Sequence, residues 1–479
     1  MSRPRIHLLD PDEIRSIRDG SLKTLAETGI AVPHPEILAR LADSGVRVDM
    51  GTGRVRFREE QVLAAVAASV KQYVLHGRGP EFVARYGFGD TNLMSTPGQF
   101  AWFDHASSAR REPRLEDARA AIRLGDQLPA VSVVGAMAVP ADVTPEIRDV
   151  VLTAELARGT VKPTRCWPVS KESTTYVLEI YKAVAGGSEA LRGRPMAETF
   201  LEPISPLTFP TVGLDVMLKY LELGQPVSIG PMVMTTATGP GTLAGTLVQE
   251  NAEILGGVAI VQTLAPGTPI MYGGIPHVMD PRTTICSFGS PEQGLMAVAM
   301  AQVGQSYGFP VYLNVNLTDA KVLDVQAGME KMSSFVLAML AGVDQIGHGG
   351  IVGTDHGGSL EWLVVDNEAV MFARRIAAGM RVDQDTLALD VIAKVGPGGD
   401  FLGEEHTVRH FRQELLLPSQ VWTRLTYDGW RSSGATSMGD RARARVDAIL
   451  AGDGPAPLEP VLDRELGRIV AAASAELVS

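Results

Sequence analysis

The sequence predicts an α/β fold: a TIM (β/α)8 barrel with an N-terminal α/β accessory region over residues 1–125 and a C-terminal helical segment over 401–479. Two observations predict it. From about residue 130 the chain repeats apolar, β-branched runs whose starts lie 29 to 43 residues apart. Each gap between runs holds a plausible helix. Runs apolar at nearly every position suit parallel strands buried on both faces, and strand–helix alternation indicates a parallel sheet.

The elements follow in order. Asp10-Pro11-Asp12-Glu13 opens a helix with acids in its first turn, where the helix dipole favours them. Residues 46–49 and 54–57 alternate around Met50-Gly51-Thr52-Gly53, a hairpin signal. Phe100 to Asp104 reads as a short β-element before a basic loop ending at Arg114. The barrel strands are expected at 131–139, 163–169, 197–203, 226–233, 269–277, 310–316 and 343–349. Helices are expected at 145–157, 171–185, 212–223, 241–263, 291–306 and 325–340. In the last, Val325, Met329, Met332, Phe335, Val336 and Met339 recur at helical spacing. The eighth strand is placed between Leu360 and Lys394, so the catalytic barrel is read as 126–400. A doubly wound open sheet is the competing architecture, but no strand is followed by its glycine fingerprint.

Composition narrows the function. The 479 residues carry a formal net charge of −12, which argues against a nucleic-acid partner. Hydrophobic residues make up 45%, enough for a large core. The two cysteines, Cys166 and Cys286, build neither a disulfide framework nor a cysteine zinc cluster. The start at Met1-Ser2-Arg3-Pro4-Arg5 shows no apolar leader and no window is apolar enough to span a membrane. A cytoplasmic protein is expected.

In such a barrel, functional side chains come from the C-terminal ends of the strands and the loops after them. That rule selects Glu202, Tyr272, His277, Asn314, Asn316, Asp319, Lys321, Asp324, His348, Asp355 and His356. Asn314 and Asn316 alternate in an apolar strand and are expected to point the same way, toward a ligand or a polar network. Asp319 and Lys321 follow, either as a salt bridge or as functional groups. His348, Asp355 and His356 could nominally ligate a metal, though their spacing matches no metal motif and no metal is assigned. His406 and His410 stand one helical turn apart, but the glutamate of the zinc-protease pattern is missing, so packing is the expectation. Trp167, Phe200, Tyr272 and Tyr312 fall at predicted strand ends. A few rings around an acid would suit a quaternary ammonium, which offers no N–H.

The stretch Thr318-Asp319-Ala320-Lys321-Val322-Leu323-Asp324-Val325-Gln326-Ala327-Gly328-Met329-Glu330-Lys331 resembles a signature of the trimethylamine methyltransferase superfamily. Gly77-Arg78, Phe103-Asp104 with Arg111-Glu112-Pro113, Tyr272-Gly273-Gly274, Val365-Asp366-Asn367-Glu368 and His406-Thr407-Val408-Arg409-His410 match in the same order along nearly the whole chain. The resemblance implies transfer of a methyl group from a methylated amine to the Co(I) of a corrinoid (cobalamin) on a cognate corrinoid protein. Founding members carry pyrrolysine; this chain has only the standard twenty residues. It therefore resembles the glycine betaine methyltransferases, whose substrates are already quaternary. No cofactor is expected in the chain itself. A homo-oligomer is expected. On that reading Tyr272, with Phe200 or Trp167, faces the ammonium. Glu202, His277, Asn314, Asn316, Asp319, Lys321 and His348 are the polar candidates.

Three alternatives stay open. Lys321 could serve a lyase or aldolase as a Schiff-base amine. The barrel could be a non-catalytic betaine-binding or corrinoid-protein scaffold. The methyl acceptor could be a carrier such as tetrahydrofolate.

Overall fold

The computed structural model describes residues 5–104, 109–417 and 419–478. Met1–Pro4, where the reading of the N-terminus begins, lie outside them. Eight parallel strands form one curved sheet: β1 (Asn92–Ser95), β2 (Val131–Gly135), β3 (Thr164–Arg165), β4 (Thr199–Leu201), β5 (Val227–Ile229), β6 (Ile270–Gly274), β7 (Val311–Leu313) and β8 (Gln345–Gly349). The hydrogen-bonded order is β3-β2-β1-β8-β7-β6-β5-β4. The first strand therefore pairs with the last, and the ladder is interrupted only between β3 and β4. This is the TIM barrel.

A helix follows each strand: α1 (Leu115–Gln127), α2 (Arg148–Gly159), α3 (Lys171–Ala185), α4 (Thr211–Leu221), α5 (Leu243–Leu264), α6 (Pro291–Ser306), α7 (Val325–Ala341) and α8 (Leu360–Ala377). Local chemistry sets their ends. The Ser170 hydroxyl accepts from the Ser173 amide at the start of α3, and Gly186 closes it in the left-handed region. Asp324 caps α7 in the same way and Gly342 ends it.

The seven expected runs each hold a barrel strand. The eighth does not lie between Leu360 and Lys394, which begins with α8. It is β1, inside the 1–125 region. Its Asn-Leu-Met-Ser sequence is short and polar at both ends, so no apolar run marks it. Its backbone pairs with both β2 and β8.

The rest of the N-terminal region wraps the barrel. Helices Pro11–Lys23, Pro35–Asp43 and Glu59–Ala68 pack against α5. The hairpin Tyr73–His76/Val83–Tyr86 joins the inner core, where Tyr73, Leu75 and Tyr86 meet Met94, Val133, Met271 and Tyr312. The Tyr86 hydroxyl donates to Gln345 Oε1 at 2.5 Å. At the other end of the chain, helix Met438–Ala451 packs on α8 and α1, and Pro460–Leu477 on α2 and α3. Among the described residues no helix is long and apolar enough to cross a membrane.

Candidate active site at the barrel mouth

Alternate residues of each strand face the inside of the barrel, so a site at the mouth is built from one parity of each strand end. Trp167, Phe200, Tyr312 and His348 bring four rings to one small cavity there. Trp167 meets His348 edge-on at 5.6 Å between centroids, and Phe200 meets Tyr312 edge-on at 5.8 Å. Met94 adds apolar surface.

Polar groups lie beneath the rings. Arg165 donates to Glu198 Oε1 at 2.7 Å, both side chains fully buried, and the Ser228 hydroxyl donates to the same oxygen. Tyr312 and His348 Nε2 lie 3.3 Å apart. With the phenol donating to Nε2, the neutral ring carries its proton on Nδ1. Burial, with Arg165 nearby, pushes the His348 imidazole down to about 3, so it is uncharged at neutral pH. Among the described residues, Arg165 Nε, Glu198 Oε2 and His348 Nδ1 are buried with no hydrogen-bond partner. Buried polar atoms normally have partners, so these are free to bond a ligand.

Two carboxylates stand above. Glu202 follows β4 with its surface open to the mouth, yet walled closely by protein. That enclosure, with Asp355 adding like charge, pushes its carboxyl up to about 7. Burial pushes Asp355 up to about 6, while Gln99 Nε2 donates to it at 3.0 Å. Behind Glu202, Glu250 accepts from the amides of Ile275 and Val233 and fixes the ends of β5 and β6.

Of the residues selected from sequence, the structure gathers Trp167, Phe200, Glu202 and His348. Others are placed differently. Tyr272 points away from the cavity: it lies between β6 and the outer helices, its hydroxyl donating to Asn251 Oδ1 at 2.8 Å. Met271 is the inward residue of that pair. Asn314 and Asn316 lie beyond β7 and do not alternate on it. Asn314 is buried with Oδ1 unpartnered. Asn316 turns into the left-handed region at φ 78° and joins a separate network. Its Oδ1 accepts from Lys331 Nζ, which also pairs with Asp366 at 3.0 Å.

Asp319 and Lys321 form no side-chain pair. The Asp319 carboxylate accepts from the Ser287 hydroxyl, the Phe288 and Gly289 amides and the Thr354 hydroxyl, tying the loops after β6, β7 and β8 together. Lys321 is exposed and donates to the Asp319 carbonyl. Exposure removes the desolvation that a Schiff-base lysine needs, so the lyase reading loses its residue. His277 is buried, stacked on Phe288 at 5.0 Å, with Nδ1 held 2.9 Å from the Ile275 carbonyl. Asp324 caps α7. His348, Asp355 and His356 do not converge as a ligand set among the described residues.

Arg165, Ser228 and Gln345, which line the cavity, and Glu198, which pairs with Arg165, are not selected from the sequence. A signal existed for the ion pair: Arg165 is the one charged residue of 163–169, and 197–203 carries two acids, Glu198 and Glu202.

A family model described as trimethylamine methyltransferase (MTTB) matches residues 1–478. The chain belongs to that family. A glycine betaine methyltransferase of Desulfitobacterium hafniense (strain Y51) is 31% identical over 98% of this chain and 97% of its own length. The trimethylamine methyltransferase MttB of Methanosarcina barkeri is 28% identical over 97% and 94%. The solved monomethylamine methyltransferase of Methanosarcina barkeri is 12% identical, with a TM-score of 0.48 over 92% of each chain. Several residues that carry the MTTB-family resemblance now have a physical role. Thr318, Asp319, Glu330, Lys331 and Asp366 shape the mouth: Glu330 accepts from the Thr318 hydroxyl and the Asp319 amide, and Asp366 accepts from the Gly350 amide.

Proposed function

We propose that this MTTB-family protein moves a methyl group from a quaternary amine of the glycine betaine class to the Co(I) of a corrinoid carried by a separate protein. The observation that carries this reading is the meeting of rings and carboxylates at one mouth. A quaternary ammonium is held by ring faces and by negative charge, because it has no N–H to donate. Trp167, Phe200 and Tyr312 supply rings, and Glu202 and Asp355 supply charge. The relative named for glycine betaine supports a substrate that is already cationic.

The floor sets the orientation. A betaine carboxylate pointing inward accepts from Arg165 Nε and His348 Nδ1, the two buried donors left free. Its N-methyl groups then point outward. The docked cobalt supplies the nucleophile that takes the methyl group. The chain's own task is positioning, holding the methyl in line with the mouth and excluding water with Met94, Phe200 and Tyr312. The ammonium loses its charge as the bond breaks, so binding by Glu202 and Asp355 is useful only while modest. Charge attraction that is strong in the ground state and absent in the transition state would slow the step.

The rim fits a protein partner. Phe100, Ile204, Ile285 and Val322, each following a different strand end, are all more than half exposed. Exposed apolar side chains gathered on a rim suit association. Two free cysteines suit a reducing cytoplasm. Self-association is supported elsewhere, by Met380, Val382, Leu389, Leu402 and Val408, all exposed on a segment whose helices bury no residue. Light scattering on the eluting protein tests it.

The reaction is tested with Co(I) cobalamin and a panel of quaternary and tertiary amines, following methyl-cobalamin formation by absorbance. Turnover of a betaine is expected. Turnover of trimethylamine alone would overturn the substrate class, and tight betaine binding without transfer would favour a scaffold.

A further inference from the structure

Away from the mouth, α8 runs back along the barrel and releases the chain at its opposite end. There the segment 380–415 carries three short helices, Gln384–Leu387, Leu389–Val395 and Glu405–Glu414, with no buried residue in any of them. A segment with so little core needs cross-links of another kind.

Helix Glu405–Glu414 presents His406 and His410 one turn apart, their ring centroids 4.3 Å from each other. Asp385, from the first short helix, faces both. One ligand atom from each of the three residues lies within 4.8 Å of the others. His410 Nε2 is 3.1 Å from Asp385 Oδ2, yet it is a buried atom that makes no properly directed hydrogen bond. His406 Nε2 is 2.9 Å from the Asp385 carbonyl. Arg381 also reaches Asp385 Oδ2 at 3.0 Å, and Arg409 reaches Oδ1 at 3.6 Å.

We infer that Asp385, His406 and His410 bind a divalent transition cation of the zinc class, and that the ion ties the 380–387 turn to helix Glu405–Glu414. Two imidazoles and one carboxylate are a ligand set for borderline metals rather than for calcium or magnesium. Three protein ligands leave a fourth tetrahedral position for water. The metal displaces Arg381 from Oδ2, while Arg409 keeps the other oxygen. Arg409 thereby orients the carboxylate, as partners behind a ligand commonly do. The histidine pair is legible in the sequence, but its third ligand lies 21 residues before His406 and is supplied only by the fold.

The test uses untagged full-length protein, stripped with a chelator and titrated with Zn2+ by calorimetry, with metal content measured in parallel. One equivalent per chain is expected. His406→Gln with His410→Gln should weaken that binding at least tenfold, and Asp385→Asn should weaken it while keeping the carboxylate's shape. Circular dichroism checks that each variant is folded. Zinc should also slow hydrogen exchange over 380–415 in the wild type. Failure to bind one saturable equivalent, or equal affinity in the folded variants, overturns the site. Unchanged exchange on saturation overturns the tie.

Discussion

Arg165 and Glu198 meet at 2.7 Å across the seam between β3 and β4, the place where the barrel's backbone ladder is interrupted. A buried ion pair thus joins two strands that the sheet does not, and its guanidinium also forms the floor of the candidate site. Removing one partner leaves a buried charge without compensation. Arg165→Met or Glu198→Leu should each cost about 3–5 kcal/mol in urea unfolding. The double variant should cost much less than their sum. Additive losses would show that the pair is not coupled.

His348 and Tyr272 separate site from scaffold. His348→Ala removes a donor to a charged carboxylate, worth about 1.5–3 kcal/mol, so betaine affinity should fall roughly 10- to 150-fold. Tyr272→Phe removes the hydroxyl's bond to Asn251 and its long contact with the Met300 sulfur, both outside the cavity. It should cost about 1–3 kcal/mol of stability and leave KM unchanged. Isothermal titration and thermal unfolding read the two effects independently.

If Glu202 and Asp355 face the substrate as proposed, binding should depend on pH. Their carboxyls titrate near 7 and 6, so both are largely protonated at pH 5 and ionised at pH 8. A cation binds the ionised forms better, so KM for a quaternary amine should fall as pH rises through 6 and 7. Binding in that window should release protons. Glu202→Gln should remove the upper part of the profile and leave the rise near 6. An unchanged profile would take Glu202 out of the site.

Asp319 positions the mouth without touching substrate. Asp319→Ala strands two backbone amides and two hydroxyls in the loops after β6 and β8. Exchange of the Phe288 and Gly289 amides should accelerate, and kcat/KM should fall. Asp319→Asn, which still accepts, should recover part of both. Loss of activity without faster exchange would give Asp319 a different role.

Lys321 is the control. Lys321→Ala should leave methyl transfer within about twofold of wild type, since an exposed side chain away from buried partners contributes little. Borohydride with a carbonyl compound should trap no adduct at Lys321, in contrast to a desolvated Schiff-base lysine.

The sequence by itself determined seven of the eight strands and the helices between them. It could do so because a strand buried on both faces must be apolar along its length, and that pattern survives in the residue order. The same burial erased the alternation that would have told inside from outside. Tyr272 and Tyr312 look alike in the sequence, yet only Tyr312 faces the cavity, because a one-residue step on a strand reverses the side chain. β1 carried too little apolar character to be read, and only its pairing with β2 and β8 makes it a strand. Tertiary structure likewise decided which distant groups meet: Arg165 with Glu198, Lys331 with Asp366, and Asp385 with His406 and His410. Periodicity records how deeply a residue is buried. Which charge it is buried against depends on chain closure, and the order of residues carries no local trace of it.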